Sequence, residues 1–278
     1  MMLRSLRRPP EPPTVEAGAE VVPGYEVVRL MRRGNRLDTY AVHSHERDAG
    51  CVLKTVRDDR AHEPSCREAL LREGTLLRDL SHPHLVRAYE VVEQPRAAVV
   101  LETLTGATLE SVVEDRPLVP PDAALMGLQL VSVLGYLHRR GWLHLDVKPS
   151  NVVVQGGRAV LIDLSLVAPP GDGRSHAGTD GYLAPEQVRG QGLSSASDVF
   201  GLGVTLGESL TGRLPYGEEG EWDGGTAPRG TARAFRRRLD KSPQVLADLV
   251  RACIDPDPVR RPGLDGVRAV LRGLADGR

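Results

Sequence analysis

The sequence predicts an α+β protein with a small β-rich lobe followed by a larger, mainly helical lobe. Short runs rich in Val, Tyr and Thr, separated by turn-forming residues, occupy residues 25–56 and are typical of antiparallel strands. From residue 106 onward, apolar residues recur mostly at helical spacing. A chain of 278 residues is also long enough to form one large domain or two modest lobes.

The first 23 residues are proline-rich and carry mixed charges. A segment of this composition buries too little apolar surface to offset the entropy lost on ordering. We therefore predict a disordered leader over residues 1–23. The alternative is that its proline pairs bind an aromatic groove of another protein.

Residues 24–104 are predicted to form the N-terminal lobe. Between its strands, residues 65–80 place leucines at helical spacing, and Ser65 is a candidate N-cap. The predicted strands are residues 25–30, 39–44, 51–56, 85–93 and 97–102.

Residues 105–278 are predicted to form the C-terminal, mainly helical lobe. Its longest amphipathic segment begins at Pro121 and ends before Gly141, and these residue types commonly mark helix starts and ends. Residues 151–163 predict a β-hairpin that turns at Gly156-Gly157. The remainder is predicted to be helices joined by loops rich in Pro and Gly.

Composition excludes several classes of protein. The net charge of −1 argues against a nucleic-acid partner, which usually requires a basic excess. No apolar run is long enough to span a membrane, and the start lacks the apolar core of a signal peptide. The three cysteines lie far apart, which favours a reducing compartment and a cytoplasmic location. The sequence carries no signal for an oligomeric state.

The most informative string is the loop from His144 to Asn151, which lies between the amphipathic helix and the hairpin. Asp146, Lys148 and Asn151 supply a base, a cation and a neutral oxygen ligand. This set suits phosphoryl transfer to a hydroxyl, because Asp accepts the proton, Lys compensates the γ-phosphate charge and Asn can hold a hard cation. The alternative is a polar loop containing an ordinary ion pair.

Further motifs in the same order make residues 25–274 resemble the eukaryotic-like, Hanks-type serine/threonine protein kinases of the bacterial branch. Asp163 follows the hairpin at the place of the family's Asp-Phe-Gly motif. Gly178-Thr179 and Ala184-Pro185-Glu186 resemble the end of an activation segment. Independent matches in the expected order are stronger than any single one. The other matches are Lys54, Glu73, the hinge Leu101–Leu104, Asp198 and Arg261.

The resemblance implies a bilobal protein kinase fold, with helix C beside the small sheet. It implies ATP and Mg²⁺ as cofactors, with Mn²⁺ as an alternative metal, and protein Ser/Thr hydroxyls as acceptors. Asp146, Lys148 and Asn151 would be catalytic, and Asn151 with Asp163 would hold the metal. Thr179 would belong to the substrate-binding segment. The implied nucleotide-binding residues are Gly34, Val52, Lys54, Glu73, Leu101, Glu102, Leu104, Val153 and Asp163.

Three motifs depart from the family pattern. Only Gly34 remains of the three glycines in the glycine-rich loop, which reduces the close approach of backbone amides to phosphates. Leu164-Ser165 replaces Phe-Gly after Asp163. Leu145 replaces the arginine that clamps a phosphorylated activation segment in the family. Because a phosphate there would lack its usual partner, we predict activity that does not depend on phosphorylation of that segment.

Two alternative functions remain. The degraded glycine-rich loop is compatible with a pseudokinase that acts as a nucleotide-sensing or scaffolding protein. Aminoglycoside-type phosphotransferases also use His-x-Asp-x-x-x-x-Asn, although the Ala-Pro-Glu segment argues against a small-molecule kinase. Because Lys54, Asp146, Asn151 and Asp163 are all present, we favour an active protein kinase.

Two histidine pairs and an arginine cluster have simpler interpretations. The histidines have no third ligand nearby in the sequence, so ordinary loop histidines are favoured over a metal site. The arginines are interpreted as a solvated helix face, with a docking patch for acidic substrates as the alternative. These residues are His43 and His45, His82 and His84, and Arg233 with Arg236, Arg237 and Arg238.

Overall fold

The computed structural model describes residues 13–216 and 231–275. The chain divides into two compact units, the first containing residues up to 80 together with 87–103, and the second containing 81–86 and the residues from 104 onward. The strands are β1 (Glu20–Val22), β2 (Tyr25–Arg33), β3 (Leu37–Ser44), β4 (Ala49–Val56), β5 (Ala88–Val92), β6 (Ala98–Glu102), β7 (Ala107–Thr108), β8 (Val152–Gln155) and β9 (Arg158–Leu161). The α-helices are α1 (Pro64–Asp79), α2 (Leu109–Asp115), α3 (Pro120–His138), α4 (Pro185–Arg189), α5 (Ser195–Thr211), α6 (Arg233–Leu239), α7 (Gln244–Cys253) and α8 (Leu264–Ala275).

The first unit is an antiparallel sheet with one helix packed on it. The six strands follow the order β1-β2-β3-β4-β6-β5, and α1 contacts β4, β5 and β6. Burial alternates along β3, so that Tyr40 and Val42 point into the core with Leu53 of β4. This period of two is what the alternating sequence predicts for a half-buried strand.

The prediction that the leader is disordered as far as residue 23 is wrong for its last residues. Residues 20–22 form β1, which pairs with β2, and Val21 and Val22 are buried in the core of the sheet. The N–H of Val15 also donates to the Tyr40 hydroxyl at 3.2 Å. Burial of these apolar side chains and the strand pairing offset the conformational entropy that the segment loses on ordering. The proline-rich composition had suggested that this entropy loss would keep the segment disordered. Residues 1–12 of the predicted leader lie outside the described residues.

Helix α1 begins two residues earlier than a cap at Ser65 predicts, and without a side-chain cap. The N-cap residue is Glu63, whose side chain makes no capping hydrogen bond, and Pro64 occupies the first helical position. Proline suits this position because its φ is already helical and its missing N–H would have had no helical partner. The candidate cap Ser65 therefore lies inside the helix.

The second unit is mainly helical and is built around α5, which is buried along most of its length. A helix buried on all sides is typical of a core element. The small sheet β7-β8-β9 includes the predicted hairpin. Its turn at Gly156-Gly157 has φ values of 57° and 78°, as a two-residue turn with a positive φ at both positions requires. None of the described helices is both long and apolar enough to cross a membrane.

The boundary between the units lies close to the predicted one, but one short segment of the predicted N-terminal lobe belongs to the second unit. The first unit ends at Thr103 rather than at Leu104, and residues 81–86 belong to the second unit. Backbone hydrogen bonds explain that membership, because Val86 N donates to Leu161 O at 2.9 Å and Leu161 N donates to His84 O at 3.0 Å.

Candidate functional site

In the first unit, the predicted partners Lys54 and Glu73 form an ion pair. Lys54 lies on β4 and Glu73 on α1, and Lys54 Nζ donates to Glu73 Oε1 at 2.8 Å. Only 13% and 2% of the two side chains are exposed. A carboxylate placed so close compensates the cost of removing the ammonium group from water. The pair thus holds a cation at a fixed position on the sheet.

The turn between β2 and β3 stands where the glycine-rich loop was predicted, and it is held by hydrogen bonds. Gly34 N donates to Leu37 O at 2.8 Å, and Arg57 Nη1 donates to Gly34 O at 3.0 Å. A Cβ on Gly34 would lie 3.0 Å from Leu37 O, so the tight turn favours glycine. The N–H of Gly34 is already used inside the turn, and the expected approach of this amide to a phosphate is therefore not supported.

The hinge residues that the resemblance implied fall in both units. Val52 of β4 pairs with Leu101 of β6. The Glu102 N–H donates to Arg87 O at 3.0 Å, so any adenine contact of the hinge must use its other backbone groups. Leu104 and the buried Val153 belong to the second unit.

In the second unit, one buried carboxylate fixes the loop that carries Asp146. Asp198 of α5 accepts from His144 N at 2.8 Å and from Leu145 N at 2.7 Å. The ring of His138 also lies 2.7 Å from this carboxylate. This confirms the prediction that Asp198 organises the backbone below the loop. Leu145 adopts a left-handed conformation with φ of 64°, which is unfavourable for a branched residue and requires such support.

The loop brings Asp146, Lys148 and Asn151 together with Thr179. The Thr179 hydroxyl donates to Asp146 Oδ1 at 2.7 Å, and Lys148 Nζ lies 3.0 Å from Asp146 Oδ2 and donates to the Thr179 hydroxyl. Asn151 Nδ2 donates to Asp146 Oδ2 at 2.8 Å and to Asp146 O at 3.0 Å. A carboxylate oriented by three neighbouring side chains can accept a proton from a hydroxyl placed beside it.

Asp163 follows β9 in the segment that runs alongside this loop. Ile162 N donates to Asn151 O at 3.0 Å, and Ser165 N donates to Asp163 Oδ1 at 2.8 Å. Among the described residues, no three His, Cys, Asp or Glu side chains form a metal-binding group. The amide oxygen of Asn151 and the carboxylate of Asp163 nevertheless fit Mg²⁺, which takes few protein oxygens and completes its shell with phosphates and water.

Glu186 and Arg261 form a buried pair that supports α4 and α5. Arg261 donates to the two Glu186 oxygens at 2.6 and 2.9 Å, and Ser197 Oγ donates to Glu186 Oε1 at 2.9 Å. The guanidinium also stacks over the Phe200 ring. These contacts support the structural role predicted for the pair.

One buried side chain near the loop was missed by the sequence reasoning. Gln187 donates from Nε2 to Leu145 O at 2.8 Å and to Ala177 O at 3.2 Å. In the sequence, Gln187 is marked only by its position directly after Ala-Pro-Glu. That position does not reveal a contact with Leu145, which stands 42 residues earlier.

The histidine pairs contact ordinary polar groups. His82 Nε2 lies 3.2 Å from Ser132 Oγ, and burial lowers the pKa of His82. His84 Nδ1 lies 2.8 Å from Ala159 O. His43 and His45 lie near carboxylates of the first unit, at 3.5 to 3.7 Å.

The arginine cluster lies on an exposed face of α6. Arg233, Arg236, Arg237 and Arg238 are all exposed, as the prediction of a solvated helix face requires. Arg238 Nη1 also donates to Thr211 O at 2.6 Å and so satisfies a carbonyl at the C-terminal end of α5.

Comparison with known proteins supports the assignment of these residues to one family. Residues 25–270 match the family model described as "Protein kinase domain". The chain is 34% identical over 240 residues to "Serine/threonine-protein kinase PkaA" of Streptomyces coelicolor, covering 81% of this chain and 43% of that protein. It is 31% identical over 205 residues to "Serine/threonine-protein kinase PknB" of Mycobacterium leprae, covering 69% of this chain and 33% of that protein. It thus spans less than half the length of these relatives. The chain belongs to the protein kinase family.

Proposed function

We propose that this chain transfers the γ-phosphoryl group of ATP to Ser/Thr hydroxyls of proteins. The observation that carries the proposal is the single hydrogen-bonded group of Asp146, Lys148, Asn151 and Thr179. The names of the similar proteins support the serine/threonine class. Lys148 and Thr179 also fit the serine/threonine branch rather than the tyrosine branch of the resemblance.

In the proposed reaction, Asp146 orients the acceptor hydroxyl and receives its proton. The acceptor oxygen bonds to the γ-phosphorus as the bond to the β–γ bridging oxygen breaks, and ADP leaves. Lys148 compensates the negative charge on the transferred group, and Lys54, held by Glu73, binds the α- and β-phosphates. Asn151 and Asp163 would hold Mg²⁺, which when bound neutralises phosphate charge.

We also propose that the activation segment, residues 165–182, is assembled without phosphorylation. Leu145, at the place of the family's arginine, is buried in an apolar cluster with Leu143 and Leu193, on which Leu166 and Ala168 pack. Backbone pairing adds to this, because Leu143 bridges Ala168 in antiparallel fashion. Apolar packing therefore takes the place at which an arginine would bind a phosphate.

A cytoplasmic location and protein substrates remain proposals of the same kind. All three cysteines are free thiols, which is the usual state in a reducing compartment.

The function is tested by incubating the chain with γ-³²P-labelled ATP, Mg²⁺ and histone as a generic basic acceptor. We expect incorporation to fall by about 10²- to 10⁴-fold in Asp146→Asn, because the general base is lost. The matched control is Asp115→Asn, an exposed aspartate of α2, which should retain activity. Chelation of Mg²⁺ should abolish transfer.

The pseudokinase alternative gives the opposite result. Incorporation that is absent in the wild type, or equal in the wild type and Asp146→Asn, would overturn the proposed activity. Nucleotide binding measured by calorimetry on the same samples would then distinguish a nucleotide-sensing protein from a scaffold that does not bind nucleotide.

A further inference from the structure

The Gln187 side chain uses all of its main hydrogen-bonding groups within the fold. It is buried, with 3% of the residue exposed. Both hydrogens of Nε2 have acceptors, Leu145 O at 2.8 Å and Ala177 O at 3.2 Å. Its Oε1 accepts from Ala184 N at 3.1 Å. A buried amide that is satisfied in this way holds its backbone partners firmly, since losing it would leave buried carbonyls without donors.

These two carbonyls belong to the two chain segments that carry the proposed chemistry. Leu145 O is part of the peptide group that leads into Asp146. Ala177 lies two residues before Thr179, whose hydroxyl donates to Asp146 Oδ1 at 2.7 Å. One side chain therefore ties together the backbone on both sides of the Asp146–Thr179 hydrogen bond.

The Leu145 peptide needs support on both sides. Its φ of 64° is unfavourable for leucine. Asp198 Oδ1 holds the Leu145 N–H, whereas Gln187 holds the Leu145 carbonyl. The two side chains act on opposite ends of one strained residue, and each fixes a part that the other does not reach.

The segment before Thr179 is shaped to lie close to this amide. Gly178 has a φ of 152°, and a Cβ there would lie 3.4 Å from Gln187 Nε2 and too close to the Leu183 side chain. The backbone of Gln187 adds a further tie, because His176 N donates to Gln187 O at 3.1 Å. The φ of Gly178 and the clash with Leu183 favour glycine at this position, whereas the contact with Gln187 is an ordinary one.

We propose that Gln187 is a positioning residue that sets the geometry of the Asp146–Thr179 pair in this chain. It holds the activation segment against the loop by amide–carbonyl bonds, where Leu145 leaves no arginine to hold a phosphate. This role rests on the proposed kinase function. It predicts that Gln187 affects the rate of transfer rather than the affinity for ATP, whose proposed contacts lie at other residues.

The decisive variant is Gln187→Glu, which keeps the shape but points a carboxylate at two carbonyl oxygens. We expect kcat to fall on the order of 10²-fold, the size of effect that a misplacement of about 1 Å can cause, while KM for ATP changes by less than about threefold. The matched control is Gln191→Glu, because Gln191 is exposed close by in the chain and the charge change is the same. This control should keep kcat within about twofold of the wild type.

Gln187→Met removes both donors without adding a charge. If Gln187→Glu does not fold, this variant tests whether Gln187 positions the Asp146–Thr179 pair. We expect it to lower kcat at least about tenfold at a temperature at which circular dichroism shows the variant to be folded. Wild-type kcat in Gln187→Met, or a loss that a matching rise in KM for ATP accompanies, would overturn the proposal.

A second readout separates this proposal from the kinase function itself. Hydrogen exchange in a peptide covering residues 173–183 should become faster in Gln187→Met and stay unchanged in Gln191→Glu. If the wild type transfers no phosphate but the exchange result holds, the proposed function fails while the tie by Gln187 stands. Unchanged exchange in Gln187→Met would refute the tie whatever the activity.

Discussion

Asp146 shows how much of the candidate site rests on the side chains that surround its proposed base. Its carboxylate is oriented by Lys148, Asn151 and Thr179, and its backbone follows a strained residue fixed by Asp198. The grouping of a base, a cation and an amide in this loop was predictable from the sequence, because the three residues stand close together in it. Gln187 was not, because its contacts with the loop depend on how distant segments pack.

The buried pair Glu186–Arg261 provides a residue-scale test of stability. The two side chains are 5% and 0% exposed, so removing one partner leaves an uncompensated charge in the interior. We expect Glu186→Ala to lower the free energy of unfolding by about 3–5 kcal/mol, measured by urea denaturation.

Asp248→Ala serves as the control for that measurement. Asp248 pairs with Arg251 at 2.8 Å, but the two side chains are 58% and 39% exposed. Such surface pairs contribute little. If Glu186→Ala is no more destabilising than Asp248→Ala, the structural role assigned to the buried pair is contradicted.

At the scale of elements, the contact of α1 with the sheet sets the position of Glu73. Gly74 comes directly after Glu73, and a Cβ there would lie 3.0 Å from a methyl group of Val91 and closer still to one of Val99. With a larger residue at this position, α1 or the valine side chains that face it from β5 and β6 must shift. The Lys54–Glu73 pair therefore depends on a glycine that helix propensity alone would disfavour.

We expect Gly74→Ala to lower kinase activity at least about tenfold, because the shift of α1 separates Glu73 from Lys54. The double variant Gly74→Ala with Val99→Ala should recover much of the loss, since the nearest clashing methyl group, that of Val99, is gone. Phosphate incorporation is the measurement.

Gly273→Ala is the matched control for a helical glycine. Gly273 lies on α8, and a Cβ added there would meet nothing within 4 Å, so alanine at this position should leave activity unchanged. Wild-type activity in Gly74→Ala, or no recovery in the double variant, would show that the close approach of α1 does not govern the ion pair.

The activation segment gives a second test at this scale. Ser175 is exposed, and the segment is already held by apolar packing and by backbone hydrogen bonds. We expect Ser175→Ala to keep activity within about twofold of the wild type, measured as phosphate incorporation. Thr179→Val should lose at least about tenfold, because the hydroxyl bonded to Asp146 is removed. A large loss in Ser175→Ala would contradict independence from phosphorylation.

The elements themselves were largely predictable where local pattern decides them. The alternation in β3 and the Gly156-Gly157 hairpin follow from short-range rules. The start of α1 was not predictable in this way, because Pro64 stands at its first position and no side chain caps it. The ordered strand at residues 20–22 was not predictable either, because it depends on pairing with β2, which composition cannot reveal.

For the whole molecule, the buried thiols predict chemical behaviour. Burial raises the pKa of Cys51 and Cys66, and raises the pKa of Cys253 to about 12. A raised pKa keeps a thiol protonated near pH 8, and the protonated form is a poor nucleophile. We expect all three cysteines to react with Ellman's reagent only after unfolding in guanidinium chloride. Rapid reaction of any thiol in the native protein would contradict this packing.

The order of motifs along the chain predicted the division into a β-rich and a helical unit. Asp146, Lys148 and Asn151, to which the resemblance gave catalytic roles, lie together in the second unit, and the contact of Asp146 with Thr179 is an addition from the structure. The order of motifs did not predict that the Gly34 N–H donates a hydrogen bond within its own turn, because that bond depends on how tightly the turn joins β2 to β3.

The central proposal is that Asn151 and Asp163 hold the metal of a bound nucleotide beside Asp146. A crystal structure with a non-hydrolysable ATP analogue and Mn²⁺ tests it directly, because the anomalous signal locates the metal. The account predicts Mn²⁺ bound by the Asn151 and Asp163 oxygens together with phosphate oxygens of the analogue. A nucleotide bound away from these residues, or manganese bound elsewhere in the chain, would contradict it.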